Sequence, residues 1–380
     1  MADSKYLRQI KQGADWWNQW RQRQGENLGV PDLTGAELSD AALAGANLRG
    51  CNFQRANLRT ADLSSADLTG VDFTGADLQG ADLSWSVLEG ANFTEARCDR
   101  LRWEGAKLRR AKLGRAHLAQ TDFQGVNLKG ACLQGGDFSH RDLRGLNLEG
   151  VNFSGGNLTE SDLTSANLIA ANLSRVNLRK TNLSRAIPNR TNLIEANLEK
   201  AILDFASAIA ANFCQSLMRE LSAHRTNFGS AVLSGADLTG SNLSGAYMAD
   251  AHASEANFSR TDLTRANLQR LWGCRANFNQ AVLRGANLYE GVLQRADLTM
   301  ADLVGANLNG IDLGRANLTM ADLSQASVLA AKLEQATLHR ATLREALFLQ
   351  ANLKLANLSA ADITGADFTG ALLLGAVIPK

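Results

Sequence analysis

The sequence predicts an all-β solenoid, and three observations support that prediction. Leucine or phenylalanine recurs at every fifth residue from position 28 to position 378, and fifty-nine of these seventy-one positions carry one of the two. The residue two places earlier is mostly alanine and the residue one place earlier is mostly aspartate or asparagine, as in Ala61-Asp62-Leu63-Ser64-Ser65. A period of five fits neither the 3.6-residue period of an amphipathic helix nor the two-residue period of a long strand. The repeat therefore outweighs the two or three globular domains that length alone would suggest.

Each five-residue unit is expected to form one short side of a coil. A small residue and a large one stand two apart with a polar residue between them, which is the alternation of a very short strand that faces inward. The remaining two residues, polar or glycine, turn the chain. Because so short a side cannot bury itself, successive coils must stack and place leucine on leucine and alanine on alanine. The expected core is a continuous column.

These units resemble the repeats of the pentapeptide-repeat proteins, whose pattern is a small residue, Asp or Asn, Leu or Phe, and two variable polar residues. The resemblance covers about residues 28–378. It implies a right-handed quadrilateral β-helix with four pentads in each coil, and this hand agrees with the general preference for right-handed crossovers. About 18 coils at a spacing of ~4.8 Å would give a rod of about 85 Å.

Four pentads in a coil place residues twenty apart on one another, which gives the prediction a register. Phe53, Phe73 and Phe93 should then form one ladder in the core. The stretch 202–225 departs most from the pattern. It leaves open a loop of ten residues, because a loop of that length would preserve the period of five.

Residues 1–25 follow a different pattern and are predicted to form a segment separate from the repeats of 26–380. Tyr6, Ile10 and Trp17 recur at helical spacing with Trp20 beside them, on a basic background, which favours one short amphipathic α-helix that ends near Gly25. The stretch from Trp17 to Arg21 also resembles the lead-in of cyanobacterial pentapeptide-repeat proteins.

This amphipathic helix is expected to cap the β-helix. Without a cover, Leu28, Leu33 and Leu38 of the first coil would face water. Binding to a partner and insertion into a membrane surface are the alternatives for the same apolar face. The apolar end of the column requires a cover, so capping is the preferred interpretation of that face and membrane binding is not.

Composition and motifs argue against an enzyme. The five histidines are scattered, outside any HExxH, GxSxG or Cys/His context, and the many aspartates occupy a repeat position where asparagine substitutes freely. The five cysteines show no CxxC spacing, so we expect neither a disulfide framework nor a metal site, and no cofactor. The amino terminus lacks the apolar core of a signal peptide. A cytoplasmic protein is expected.

Basic side chains are concentrated in two places, although the formal net charge is only +1. Eight lie between residues 97 and 115, and another group would stack at successive levels near residue 300. One interpretation is that solvated charges keep a long β-surface soluble, and the other is a patch for an anionic partner. The candidate residues for that patch are Arg97, Arg100, Arg109, Arg110, Arg115, Arg275, Arg295 and Arg315.

The last fifty residues place apolar side chains at outward positions. The candidates are Leu329, Leu349, Leu355 and Leu374. Such a density is hard to reconcile with a free surface, so we expect an interface, most simply a homodimer with two-fold symmetry through the carboxyl-terminal coils. The alternative is that residues 378–380 fold over and cover the column.

The expected function is that of a structural or interaction protein, whose rigid scaffold presents variable outward residues to a protein partner. The family resemblance supplies an alternative, because some pentapeptide-repeat proteins imitate duplex DNA and modulate or protect DNA gyrase. That imitation requires a strongly negative surface. The row of aspartates from 62 to 82 fits it, but the basic residues at 97–115 and the net charge of +1 do not. The same net charge argues against direct binding of nucleic acid.

Overall fold

The computed structural model describes residues 2–25, 29–118 and 120–379, in two compact units, Met1–Leu173 and Ser174–Lys380. The first predicted centre, Leu28, lies outside the described residues.

Parallel β-bridges join residues twenty apart in both units. In the first unit Asp32 pairs with Asn52, and in the second Asn197 pairs with Leu217. The N–H of Leu33 donates to the carbonyl of Asn52 (2.8 Å), and the N–H of Asn52 donates back to the carbonyl of Pro31 (3.0 Å). Twenty residues are four pentads, so each coil has four sides and the architecture is a quadrilateral β-helix.

The five positions of a pentad have distinct environments. Before the last coil, positions 1 and 3 are buried in nearly all pentads, position 2 forms the bridges between coils, and positions 4 and 5 form the turn. Within each unit we number four walls. Wall 1 contains the pentad centred on residue 33 and every fourth pentad after it, wall 2 starts at centre 38, wall 3 at 43 and wall 4 at 48.

The corner between two walls is a tight turn. The N–H of Ala36 donates to the carbonyl of Leu33 (3.0 Å), and position 5 has a positive φ, 67° at Gly35 and 54° at Arg55. A positive φ at the third residue is typical of a type II turn and favours glycine. The turn therefore explains why glycine and polar residues alternate at this position of the repeat.

The core of the first unit contains the predicted phenylalanine ladder. The ring centroids of Phe53 and Phe73 lie 5.6 Å apart, and those of Phe73 and Phe93 lie 5.1 Å apart. Beyond Phe93 the aromatic contacts leave wall 1. Trp103, a wall 3 centre, contacts Phe93 at 6.5 Å and Phe123 at 5.2 Å.

The stretch 202–225 keeps the twenty-residue register and contains no inserted loop. Ile202 forms a bridge with Ser222. The small centre Ala208 stands twenty residues before Phe228, and both are buried. A large ring next to a small side chain conserves the volume of the column, so the unusual centres are tolerated without a change of backbone.

The coil whose pairing is interrupted lies in the first unit instead. The indole N–H of Trp103 donates to the carbonyl of Asp122 (2.6 Å). Among the described residues, Asp122 forms no β-bridge with Arg102 or with Asp142. A tryptophan at a position built for leucine thus uses a carbonyl that the regular wall would pair with a backbone N–H.

The amino-terminal segment forms two helices, where the sequence predicted one. Helix α1 spans Ser4–Ile10 and helix α2 spans Ala14–Gln24. The helix breaks at Gly13, whose φ of 93° is incompatible with a helix and is readily adopted only by glycine.

Candidate interaction surfaces

The predicted amino-terminal apolar residues lie against the first coil and against one another. Trp17 is fully buried, and its indole N–H donates to the carbonyl of Asn47 (2.7 Å). Ile10 is buried as well. The ring of Trp20 lies 5.3 Å from that of Trp17 and 5.8 Å from that of Tyr6. The structure therefore joins Tyr6, Trp17 and Trp20 in one aromatic cluster and buries Ile10 separately.

Polar side chains of α2 continue the backbone pairing of the first coil. The Asn18 amide donates to the carbonyl of Gly45 (3.1 Å) and accepts from the N–H of Asn47 (2.7 Å). The Arg21 guanidinium donates to the carbonyls of Asn47 and Arg49, at 3.1 Å each. A side-chain amide that both donates and accepts replaces the neighbouring strand that a coil inside the solenoid would have. Sequence reasoning missed these two residues, because it considered only the apolar face of the helix.

The aspartates and asparagines at position 2 hold the turn that follows them. Asp32 accepts from the N–H of Thr34 (3.0 Å) and from its hydroxyl (2.6 Å), and Asp262 accepts from the N–H of Thr264 (2.9 Å). The hydroxyl of Thr34 is the main cause that holds the pKa of Asp32 below its usual value. Both Asp and Asn offer the required oxygen, which explains why they exchange freely at this position.

Where position 2 is serine, an oxygen from the previous coil takes over this role. The side-chain oxygen of Asn189 accepts from the hydroxyl of Ser207 (2.9 Å) and from the N–H of Ile209 (2.8 Å). The same arrangement joins Asp204 to Ser222 and His224, and Asn309 to Ser327 and Leu329. The sequence signal is a serine at position 2 with Asn or Asp eighteen residues earlier. Because the oxygen comes from the previous coil, position 4 of the second coil can carry an apolar side chain, as at Ile209 and Leu329.

The basic residues between 97 and 115 surround one coil and do not converge on a patch. Arg97 and Arg100 belong to wall 2, Arg109 and Arg110 to wall 4, and Arg115 to wall 1. The coil before supplies carboxylates, so that Arg97 lies 3.6 Å from Asp77 and Arg102 lies 2.7 Å from Asp82. Arg100 donates to the side chain of Gln120 (2.8 Å).

The other three predicted basic residues share one column. Arg275, Arg295 and Arg315 occupy position 5 of wall 1 in three successive coils of the second unit. Arg275 lies 3.3 Å from Glu255, and Arg315 donates to Gln335 (3.0 Å). Binding of an anionic partner by this column remains a prediction.

The four predicted interface leucines lie on two different walls. Leu329 and Leu349 occupy the same position of wall 4 in successive coils, whereas Leu355 and Leu374 belong to wall 1. The N–H of Leu355 donates to the carbonyl of Leu374 (3.0 Å). The structure therefore brings the leucines together as two pairs.

The thiols and carboxylates do not form a metal site in the described ranges. Burial raises the pKa of the Cys51 thiol to about 12, and that of Cys98 is raised as well. Across residues 2–25, 29–118 and 120–379 no three His, Cys, Asp or Glu side chains are placed to share a metal ion. Neither α1 nor α2 has the length and apolar character needed to cross a membrane, and no other helix occurs in those ranges.

A family model described as pentapeptide repeats matches most of the chain. The matched residues are 36–75, 66–97, 104–139, 142–179, 171–204, 231–270, 274–299, 292–328, 301–340 and 336–373. The longest unmatched stretch inside these bounds is 205–230, where the register nevertheless continues. No curated protein matches the sequence.

Several solved structures are similar in sequence. The chain is 30% identical to HetL, a pentapeptide repeat protein involved in heterocyst differentiation regulation from the cyanobacterium Nostoc, with 66% of this chain and 91% of HetL covered and a TM-score of 0.23. A pentapeptide repeat protein of the Arabidopsis thaliana thylakoid lumen is 31% identical, with 28% and 66% covered and a TM-score of 0.15. QnrB1, a plasmid-mediated fluoroquinolone resistance protein, is 19% identical, with 61% and 86% covered and a TM-score of 0.19.

Proposed function

This chain belongs to the pentapeptide-repeat family, and on that premise we propose that it is a non-enzymatic scaffold that presents its β-helical walls to a protein partner. Repeats of this family imply the right-handed quadrilateral β-helix. One observation supports the proposal most directly. The inward positions are filled uniformly by small residues and by Leu or Phe, while large apolar side chains such as Phe205, Tyr247 and Trp272 stand exposed among the outward ones. Folding does not require exposed aromatics on a wall, whereas aromatic side chains are enriched in surfaces that bind proteins.

Photo-crosslinking in the native cell tests this proposal wall by wall. A benzoylphenylalanine placed at one outward site on each wall of the second unit, Ser254, Ser259, Ser244 or Gln269, samples walls 1 to 4 in turn. We expect one protein to crosslink strongly from one or two walls and weakly from the others. Equal, diffuse labelling from all four walls, or none, would overturn the scaffold proposal.

Modulation of DNA gyrase is the alternative function. The feature that favoured it is the row of aspartates from 62 to 82, and ion pairs with arginine reduce the negative charge of that row. The aspartates from 62 to 82 are distributed over all four walls. Asp77 lies 3.2 Å from Arg59 and 3.6 Å from Arg97, and Asp82 is paired with Arg102. A supercoiling assay with and without the protein distinguishes the alternatives, because a scaffold for another partner leaves gyrase activity unchanged.

We also propose that α1 and α2 cap the β-helix. This proposal is supported by the burial of Ile10 and Trp17 and by the backbone contacts of Asn18 and Arg21. Deletion of residues 1–24 should bare the first coil, lower solubility and promote association while the β-type circular dichroism remains. A deleted protein that stays monodisperse and equally stable would contradict the capping role.

A homodimer through the carboxyl-terminal coils is part of the same proposal. Its support is the exposure of Leu355 and Leu374 on wall 1 and of Leu329 on wall 4. Two variants locate the interface, Leu355→Glu with Leu374→Glu on wall 1, and Leu329→Glu with Leu349→Glu on wall 4. Sedimentation at micromolar concentration should show a wild-type dimer that one pair of changes dissociates. A wild-type monomer, or a dimer unaffected by both, would exclude this interface.

We propose a cytoplasmic location as well. All five cysteines are free, and Cys51 and Cys98 are buried as thiols, which suits a reducing compartment. Fractionation of the native cell with a tagged protein tests the location, and recovery in an oxidising compartment would contradict it.

A further inference from the structure

Four large apolar side chains lie on walls 3 and 4 of the second unit, on either side of the turn at Phe205. Ile202 and Phe205 belong to wall 3, and Ile187 and Ile209 belong to wall 4, in two adjacent coils. The register is fixed by the bridge between Asn182 and Ile202. Adjacent coils are ~4.8 Å apart, so the four positions are neighbours along a wall or between adjacent coils, and we call this group the apolar corner.

All four side chains of the apolar corner are exposed. The exposed fractions are 37% for Ile187, 39% for Ile202, 52% for Phe205 and 41% for Ile209. A single exposed apolar residue needs no explanation, but a contiguous group of them marks an interaction site on a soluble protein.

The residues of the apolar corner also depart from the repeat pattern, and this departure adds no packing to the core. Isoleucine at position 2, as in Ile187 and Ile202, cannot offer the oxygen that Asp or Asn gives to the following turn. Phe205 places an aromatic side chain at turn position 5, where most pentads carry glycine or a polar residue. The inward centres Leu183 and Leu203 of the same wall are ordinary and buried. A loss of local stability that is confined to outward positions is typical of a functional surface.

Basic side chains surround the apolar corner. Arg185 and Arg225 occupy the same turn position as Phe205, one coil before it and one coil after it, and Arg190 follows on wall 4. All three are exposed, and none forms an ion pair in the described part of the chain. The nearby carboxylate of Asp204 accepts from the Ser222 hydroxyl (2.7 Å) and from the N–H of His224 (2.9 Å). The rim is therefore positive.

We propose that the apolar corner binds an acidic amphipathic segment of a protein partner, whose apolar side chains cover Phe205 and its neighbours while its carboxylates pair with Arg185, Arg190 and Arg225. This inference rests on the proposed scaffold function and specifies the surface and the partner's chemistry. Arginine suits carboxylates because its planar guanidinium binds them through two parallel hydrogen bonds, and Phe and Arg are both enriched in protein–protein interfaces.

An anionic membrane is the other kind of surface that binds groups of apolar and basic residues. Insertion requires side chains that reach about 5–10 Å into the headgroup region, as an amphipathic helix does. The apolar corner lies on walls joined by two-residue turns, and no loop projects from 182–209. Its geometry suits a complementary protein surface better than a bilayer.

Binding of a synthetic peptide by the full chain tests the proposal. The probe is a fluorescent 18-residue amphipathic peptide with Leu and Phe on one face and Glu on the other, and its control carries Lys in place of each Glu. Fluorescence anisotropy should show at least tenfold tighter binding of the Glu peptide. Phe205→Ser should weaken that binding at least tenfold, whereas Trp272→Ser, which removes an aromatic of similar exposure (48%) on wall 1, should change it less than twofold.

Charge reversal gives a second readout that does not depend on the apolar side chains. Arg185→Glu together with Arg225→Glu should reverse the preference, so that the Lys peptide binds at least tenfold more tightly than the Glu peptide. Equal binding of the two peptides by the wild type, no measurable binding of either, or Phe205→Ser binding like the wild type would each overturn the proposal.

Two further outcomes would assign the apolar corner to another occupant and overturn the proposal as well. One is loss of a dimer by Phe205→Ser in sedimentation, and the other is Phe205-dependent binding to phosphatidylserine vesicles. The scaffold proposal fails separately, through the photo-crosslinking experiment. A crosslinked partner on other walls together with a negative peptide test would remove this inference alone.

Discussion

The first described coil and the last described coil are built from the same pentads but differ in what covers them. At the amino-terminal coil, Leu33 is fully buried, and we propose that α1 and α2 cover it. At the last coil, Leu373 and Ile378 occupy the same inward position and remain 38% and 59% exposed. The repeat therefore directs a side chain inward, but that side chain is buried only where another layer of the protein lies both before and after its coil.

Backbone pairing shows the same difference. At the amino-terminal coil, Asn18 and Arg21 supply hydrogen-bond partners to backbone groups of residues 45–49. At the last coil, the residues described up to 379 include no side chain that pairs with the backbone N–H groups of Leu373 or Gly375. An exposed edge of this kind can pair with another chain.

The largest expected difference is between two lysine substitutions on wall 1. Leu33→Lys should destabilise the protein by more than about 4 kcal/mol, because a charge enters a filled column without a partner. Leu373→Lys should cost less than about 1 kcal/mol, because its side chain reaches water. Urea unfolding measures both. Equal losses would mean that the last coil is covered in solution.

Two adjacent tryptophans test the amino-terminal cover. Trp17→Ala should cost about 3–5 kcal/mol, because a fully buried ring and its bond to the carbonyl of Asn47 are lost. Trp16, which is half exposed, is the matched control, and Trp16→Ala should cost less than about 1 kcal/mol. Denaturant unfolding, with hydrogen exchange of the first coil, gives both values. Similar losses for the two variants would contradict the cover.

A polar substitution separates backbone pairing from apolar cover. Asn18→Ala should cost about 1–2 kcal/mol, because the carbonyl of Gly45 and the N–H of Asn47 each lose a partner. Asn18→Asp keeps the acceptor and loses the donor, so we expect a smaller loss. Thermal unfolding ranks the variants, and an unchanged midpoint for Asn18→Ala would show that water replaces the amide at no cost.

The smallest expected effect is a pH dependence at the last coil. The Thr364 hydroxyl, and next to it Arg344, lower the pKa of Asp362 to about 2. A carboxylate whose pKa in the fold lies below its usual value of about 3.9 stabilises the fold above that value, and the contribution disappears as the pH falls toward 2. Asp362→Asn keeps the oxygen for the turn but cannot titrate. Its melting temperature should fall less steeply than that of the wild type between about pH 4 and pH 2, and identical slopes would contradict this assignment.

The predictions from sequence were most successful where the rule is local. The period of five located the inward positions. The four-pentad coil implied by the family resemblance placed Phe53, Phe73 and Phe93 in one ladder, with ring separations of 5.6 and 5.1 Å. The sequence left open a loop at 202–225, and the structure keeps the twenty-residue register there, with Ile202 bridged to Ser222. The interrupted coil lies near Asp122, because the indole of Trp103 competes for a carbonyl.

For the candidate surfaces, the sequence identified residue types but did not show which of them are neighbours. The basic residues of 97–115 looked like a patch along the chain and form a ring around a coil. The amino-terminal helix was predicted as one piece, since its apolar spacing continues across Gly13, and the break at φ 93° gives two helices. Helical periodicity does not show where a chain must bend to lie on a coil.

The sequence by itself determined the repeat and the identity of the inward side chains, because each of these depends on residues close together in the chain. The number of residues in a coil was implied by the family resemblance. The tertiary structure decided which charges neutralise one another, which turn takes its oxygen from the previous coil, and which apolar residues share a corner. These depend on contacts between residues about twenty apart and on the volumes of the side chains between them. Asn189 illustrates the difference, since its role becomes visible only when Ser207 and Ile209 lie beside it in the next coil.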